Sequence, residues 1–279
     1  MKVEYDKQNN RKSSKKEVKR KRRRRLKPAF FIMLFAFLFS VLAVLSLTVF
    51  FEVHNVNISG ESVYSESELL NAAGIKTGQN LIRLNKEKIS VKIEKELPFV
   101  KEAVVSKSYP DSVNIKITPA KEYAVVEYNG QYVIVDEDLK ALSAERERRE
   151  GLIFIKGAQV SNIVLGETVT ITDKEQQNLL NQLFNFANSS EMKVTALDIT
   201  NTVSVSALLE DKIYVSFGSR SNFENKVNHL KAMFETVKKD MQSKIYLDTW
   251  NTENKKTSII YEEITQHIAE IYGNLEKNN

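Results

Sequence analysis

"KEKISVKIEKELPFVKEAVVSKSYPDSVNIKIT", residues 86–118, changes its apolar period partway along. Ile89, Ile93 and Leu97 recur at helical spacing, and Pro98 closes the run because it has no amide hydrogen to continue the ladder. Residues 99–109 then read as a strand. A second strand follows over 112–118, with Val113, Ile115 and Ile117 on one face. Between them Tyr109-Pro110-Asp111 combines a preset φ with a short polar side chain, which suits a tight turn.

Working upstream, "VHNVNIS" (53–59) reads as a strand with Val56 and Ile58 on one face, ended by Gly60. "SESELLNAAG" (65–74) starts with Ser65 three residues before Glu68, the spacing of a capping box, and stops at Gly74, so it predicts a short helix. The order over 53–119 is β-α-α-β-β, the size of one small α/β module.

Downstream, "EYAVVEY" and "QYVIVDE" flank Asn129-Gly130, a pair that tolerates positive φ at both turn positions and predicts a hairpin. "ERERRE" (145–150) reads as a solvated connection and "LIFIKG" (152–157) as a buried strand. A unit of strand, Gly, helix and strand then recurs. "IVLGE" (163–167) leads to a helix over 172–187, opened by Thr172 and Glu175, and to "TALDIT" (195–200). "IYVSFGS" (213–219) leads to a helix over 223–239 and to "KIYLDTW" (244–250). Val227, Leu230, Phe234 and Val237 form one stripe of the second helix and are expected in the core. The two units imply one sheet covered by two helices. Residues 262–279 read as a fraying tail.

The N-terminus sets the compartment. The chain has 41 Lys/Arg and 36 Asp/Glu; residues 1–28 hold 14 and 3 of them, leaving 27 and 33 for the rest. Like-charge blocks of this kind stay disordered. From Ala29 to Phe51 no residue is charged. A helix of that length spans a hydrocarbon core of about 30 Å. The basic flank keeps the N-terminus cytoplasmic and sends residues 52–279 outside. A cleaved signal peptide would have a shorter basic region and a small-x-small cleavage site, so an uncleaved anchor is the reading. One anchor accounts for the arginine run, and nucleic-acid binding is not expected. Zero cysteines exclude disulfides, thiolate metal sites and a cysteine nucleophile.

No phosphate loop, dinucleotide fingerprint, HExxH or G-x-S-x-G motif occurs. His54, His229 and His267 are far apart in sequence, and Asp136-Glu137-Asp138 reads as a polar loop after a hairpin strand. Asp198 and Asp248 fall at matched places in the two units, which repetition explains. No catalytic, cofactor-binding or metal-binding residue is expected. Trp250 ends the last strong strand, and "TSIIY" (257–261) follows a polar turn. The pair reads as a final hairpin, and also as an open sheet edge that a partner strand can complete.

Taken together, Val56-x-Ile58-x-Gly60, the Gly74…Gly78-x-Asn80-Leu81 link, "LPFVKEAVV" (97–105) and "YPDSVNIKI" (109–117) resemble the POTRA domain of the bacterial division proteins DivIB/FtsQ. "YVIVDED" (132–138), "IFIKGA" (153–158) and "IVLGE" resemble the start of that family's β domain, and the segment from "FGS" (217–219) through the following helix to "IYLDT" (245–249) resembles its end. The resemblance implies an α+β chain with a basic cytoplasmic tail (1–28), one transmembrane helix (29–51), a POTRA domain (53–119), a β domain with an extended sheet (120–261) and a C-terminal tail (262–279). It further implies a non-catalytic scaffold of septation, without cofactor. Its β domain would bind the ectodomains of two small bitopic coiled-coil proteins, DivIC (FtsB) and FtsL, and link them to the septal peptidoglycan synthase machinery. Carried over by position, the partner edge is Ile245, Tyr246, Leu247, Asp248, Thr249 and Trp250 with Thr257, Ser258, Ile259, Ile260 and Tyr261. Thr249 and Trp250 stand where members of the family often carry an arginine and an aromatic. The competing readings are an envelope transport or assembly chaperone built on a POTRA module, and an envelope enzyme with an unrecognised site.

Overall fold

The computed structural model describes residues 28–46, 50–189, 192–201, 203–219, 221–234, 236–237, 241–248 and 257–273. All of the expected basic tail except Pro28 lies outside these residues. Helix α1, Pro28–Ser46, is long and apolar enough to cross a membrane, and none of it is buried against the rest of the protein. The remaining chain is α+β, with short helices and two larger sheets.

The chain forms two compact units. One comprises Met1–Asn57, Ile75–Lys86 and Ser106–Ile115; the other comprises Ile58–Gly74, Glu87–Val105 and Lys116–Asn279. In the first, the segment leaving α1 is fastened by backbone hydrogen bonds. The Leu81 amide donates to the Phe51 carbonyl (2.6 Å), Val53 to Gln79 (2.8 Å) and His54 to Asp111 (2.9 Å). The Asn80 side chain accepts from the amides of Ile82 and Arg83 and so starts the short helix Leu81–Arg83.

Strands β1 (Asn55–Gly60), β2 (Val100–Ser108) and β3 (Ser112–Pro119) form a sheet in the order β1-β3-β2. Helix α2 (Glu66–Ala73) carries the expected capping box between Ser65 and Glu68 and ends on Gly74 in the left-handed region. Helix α3 (Lys86–Glu96) buries Ile89 and Ile93.

The second unit holds a nine-stranded sheet. Its strands are β4 (Ala124–Tyr128), β5 (Gln131–Val135), β6 (Ala141–Glu145), β7 (Ile153–Lys156), β10 (Val194–Asp198), β11 (Val205–Leu209), β12 (Ile213–Gly218), β13 (Ser243–Tyr246) and β14 (Ser258–Ile260). The spatial order is β14-β13-β12-β11-β10-β7-β4-β5-β6. A small pair, β8 (Val160–Asn162) and β9 (Thr170–Ile171), lies outside it. Asn129 and Gly130 take positive φ between β4 and β5, as the hairpin requires.

Alternation along the strands builds two cores, because successive side chains leave a strand on opposite faces. Ala124 and Val126, Val133 and Val135, Ile153 and Ile155, and Ile213, Val215 and Phe217 enter one core together with helices α4 (Lys174–Ser189) and α5 (Phe223–Phe234). Val125, Ile134, Phe154, Ala196 and Leu208 enter the other, together with Ile264 and Ile271. Those last two belong to helix α6 (Thr265–Tyr272) and its start, in a region the sequence reading left without an element. Ile264, Ile268, Ile271 and Tyr272 put one apolar stripe of α6 on the sheet. "ERERRE" is tied to the same helix: the Arg148 guanidinium stands 4.2 Å from the Tyr272 ring centre.

The repeated unit exists, with a different first strand. Residues 163–167 form a turn between β8 and β9, with Val164 and Leu165 exposed, so "IVLGE" is not a strand. Three apolar residues before a glycine imitate a strand end in sequence; here Gly166 makes the turn. The parallel crossovers are β7–α4–β10 and β12–α5–β13, and each is followed by an antiparallel strand, β11 or β14. Gly157 after β7 and Gly218 after β12 both have positive φ. A Cβ on Gly157 would come 2.4 Å from the Thr200 Cα, and one on Gly218 would come 3.0 Å from the Asp248 Cα. In both repeats a glycine lets the chain turn away past the end of the partner strand. Helix α4 also starts two residues later than expected, since the Asp173 carboxylate takes the Glu175 amide (2.8 Å).

Candidate functional site

The two ends of the nine-stranded sheet differ. Outside β6 the Gly166 turn covers the first residue of the strand: the Ala141 amide donates to the Glu167 carbonyl (2.9 Å), and Gly166 donates to Ala141 (2.8 Å). At the other end β14 is last in order, and among the described residues no strand pairs with its outer side. Peptide groups on such an edge are available to another chain.

Local contacts hold β14 in place. Its register on β13 is Lys244↔Ile260, Ile245↔Ile259 and Tyr246↔Ser258. Before it, Thr257 Oγ1 lies 2.8 Å from His229 Nε2 on α5. After it, Glu262 pairs with Lys244 (2.8 Å), and the Ile264 amide donates to Gln242 Oε1 (2.7 Å). The Glu262 carboxylate raises the pKa of Lys244, so the lysine stays charged beside the edge.

Register also decides which way each residue points. Val215, Ile245 and Ile259 stand in one row on the α4–α5 core. Tyr214, Lys244 and Ile260 form a row on the opposite face. A second row on that face is polar across most of the sheet: Lys156, Asp198, Ser206, Ser216, Tyr246 and Ser258. Lys156 Nζ pairs with Asp198 (3.2 Å), and Tyr214 stacks on His267 at 4.5 Å between ring centres. Burial raises the Tyr214 phenol pKa, against a hydrogen bond with Ser206 that lowers it, so this hydroxyl remains a donor at neutral pH.

The expected edge residues divide by this geometry. Ile245 and Leu247 are fully buried in the core, and Tyr246 and Thr257 are half-buried. Ile259 packs on the core from the edge strand. Ser258, Ile260, Tyr261 and Asp248 are exposed, with Ile260 at 42%. Thr249 and Trp250 lie outside the described residues. Sequence reasoning missed Tyr214, Lys244 and Glu262; the alternation of "KIY" with "IYVS" was the available signal, but it needs the β12–β13 register to become a surface.

Chemically the arrangement offers backbone donors and acceptors, one exposed isoleucine and a polar face. Among the described residues no group of three or more His, Asp or Glu is placed to hold a metal ion. His54, His229 and His267 engage Glu52, Thr257 and Tyr214 separately.

Comparison with known proteins gives two matches along the chain. Residues 51–118 match the POTRA domain, FtsQ-type, and residues 124–249 match the family described as cell division protein FtsQ/DivIB, C-terminal. The cell division protein DivIB of Clostridium botulinum (strain Hall) is 24% identical over 206 residues, covering 71% of this chain and 78% of the relative. The cell division protein FtsQ of Syntrophotalea carbinolica is 22% identical over 207 residues, covering 72% and 71%. FtsQ of Streptomyces venezuelae reaches 34% over 86 residues, covering 31% and 32%.

Proposed function

We propose that this chain, which belongs to the FtsQ/DivIB family of cell division proteins, is a non-catalytic scaffold of septation that receives a partner strand along β14. Its parts would be a cytoplasmic basic tail (1–28), a membrane anchor (29–51) whose last residues pass through the headgroup layer, a POTRA domain (53–119), a β domain (120–261) and a C-terminal segment (262–279) that includes α6. The basic flank before α1 supports an N-terminus in the cytoplasm and a body outside, at the division septum. The partners are small bitopic coiled-coil proteins of the DivIC/FtsB and FtsL type, which the scaffold links to septal peptidoglycan synthesis. Confinement to one membrane raises the effective concentration of each weak contact.

The observation that carries this reading is the open outer side of β14 at one end of a sheet whose other terminal strand, β6, has its first residue covered by the Gly166 turn. Adding a strand joins backbone groups along that edge, and exposed Ile260 with the Lys244–Tyr246 face supplies side-chain selection. Neighbouring amides on a strand point opposite ways, so one of Ile259 and Ile260 donates outward and the other toward β13.

The test substitutes proline at each position in the full chain and measures capture of the coiled-coil ectodomains. One of the two prolines should abolish capture while leaving the thermal unfolding midpoint close to wild type. Capture by both variants at wild-type affinity would show that the edge is not the docking site.

A further inference from the structure

The first unit carries an apolar cluster where the chain leaves α1. The 19 residues of α1 give a helix of about 28 Å, close to the hydrocarbon thickness, so Ser46 stands near one boundary of the bilayer. The Phe50 amide donates to the Ser46 carbonyl (3.0 Å), the spacing of one helical turn. Phe50 therefore lies about 6 Å beyond the last helical residue described, within the headgroup layer. It is 69% exposed.

Two other segments meet the next residue, Phe51. The Phe51 ring packs edge-on against Tyr109, 5.7 Å between centres, and the Phe51 carbonyl takes the Leu81 amide. Lys107 Nζ donates to the Ile82 carbonyl (2.8 Å), which joins the 81–83 turn to the strand leading into Tyr109. Tyr109 is 60% exposed and Ile82 44%. Isolated exposed apolar residues are ordinary, and Val63 and Val203 are of that kind. Phe50, Ile82 and Tyr109 differ because hydrogen bonds and a ring contact gather their segments beside the membrane exit.

Charge points the same way. The segments of this unit that follow α1 carry Lys76, Arg83, Lys86 and Lys107 against Glu52 and Asp111, a positive collar on a body that holds 33 acidic and 27 basic residues beyond position 28. Anionic headgroups attract such residues by roughly 1 kcal/mol each near the surface. Tyrosine suits the same layer, with an apolar ring and a polar tip.

We propose that Phe50, Ile82 and Tyr109, the last of them packed on Phe51, together with Lys76, Arg83, Lys86 and Lys107, form a collar that docks into the headgroup–acyl boundary of the leaflet into which α1 emerges. The collar restrains the orientation of its unit on the membrane, so that α1 is more than a flexible tether. This rests on α1 crossing a bilayer and is independent of the partner edge on β14.

The absence of native cysteine allows a direct test with single spin labels in the full chain. Variants Phe39→Cys, Ser108→Cys and Val63→Cys are labelled in nanodiscs of phosphatidylglycerol and phosphatidylcholine. Collision rates are then compared between oxygen, which partitions into lipid, and a water-soluble nickel chelate. The label at Ser108, next to Tyr109, should show an oxygen preference between those at Phe39 and Val63. Adding Tyr109→Asp, or separately Ile82→Asp, should shift it to the Val63 value. A Ser108 label as open to the nickel chelate as the Val63 label, with Phe39 still lipid-accessible, overturns the collar. A water-accessible Phe39 label overturns the membrane span and the collar together.

Discussion

Asp136 is buried in a stretch that reads as a polar loop. In "DED" it reads as one of three loop acids, yet it is 2% exposed. One carboxylate oxygen accepts the amides of Asp138 and Lys140, both at 2.9 Å, and the other is buried without a hydrogen-bond partner. Burial raises its pKa, against those two amide bonds, which lower it. A carboxyl with a folded pKa above its unfolded value of 3.8 favours folding below that value, and the advantage is lost as pH rises through the folded pKa. Asp136→Asn keeps the accepting oxygen and cannot ionise. Its urea midpoint relative to wild type should therefore rise between pH 4 and pH 7; a constant difference over that range would show that the carboxyl does not titrate as inferred. Alternation located the strand before Asp136, but which acid of three turns inward depends on the Lys140 backbone closing over it.

At the scale of elements, α6 is readable in the spacing of its isoleucines, whereas the first strand of the repeat is β7 and not "IVLGE". Ile264, Ile268 and Ile271 recur at helical spacing, a signal that the polar end of the tail obscures. Ile271 is 3% exposed against Phe154 and its neighbours, so Ile271→Ala should cost about 2–5 kcal/mol in urea unfolding. Gln266→Ala, on the exposed side, should stay within about 0.5 kcal/mol. Equal losses for the two would remove α6 from the core. The repeat was legible as a rhythm of strand, glycine, helix and strand. Assigning its first strand required the parallel pairing of β7 with β10. Periodicity reports which residues are buried, whereas pairing joins segments some forty residues apart.

For the whole molecule, the decisive quantity is the charge step across α1: 14 basic and 3 acidic residues before it, 27 and 33 in the remainder. The orientation proposed from that step predicts that protease added to wall-stripped cells digests the chain after residue 52 and spares an N-terminal fragment. Protection of the body, with known surface proteins cleaved, would invert the topology. The same step explains the basic sequence pI of about 9.0 for a chain whose folded part is acidic.

What the sequence determined by itself is what neighbours along the chain decide: the apolar span, the capping box of α2, the Asn129-Gly130 hairpin and the α+β order of elements. Each depends on spacing or backbone preference within a few residues, so it survives without knowledge of the fold. Only the tertiary structure decided that β14 ends the sheet while the Gly166 turn covers the start of β6, that α6 packs on the second face, and that the segments carrying Phe50, Ile82 and Tyr109 are joined where the chain leaves α1. Those outcomes depend on hydrogen-bond register and on packing between distant segments. Local composition cannot encode them, because the same alternating strand serves equally well at the centre of a sheet or at its edge.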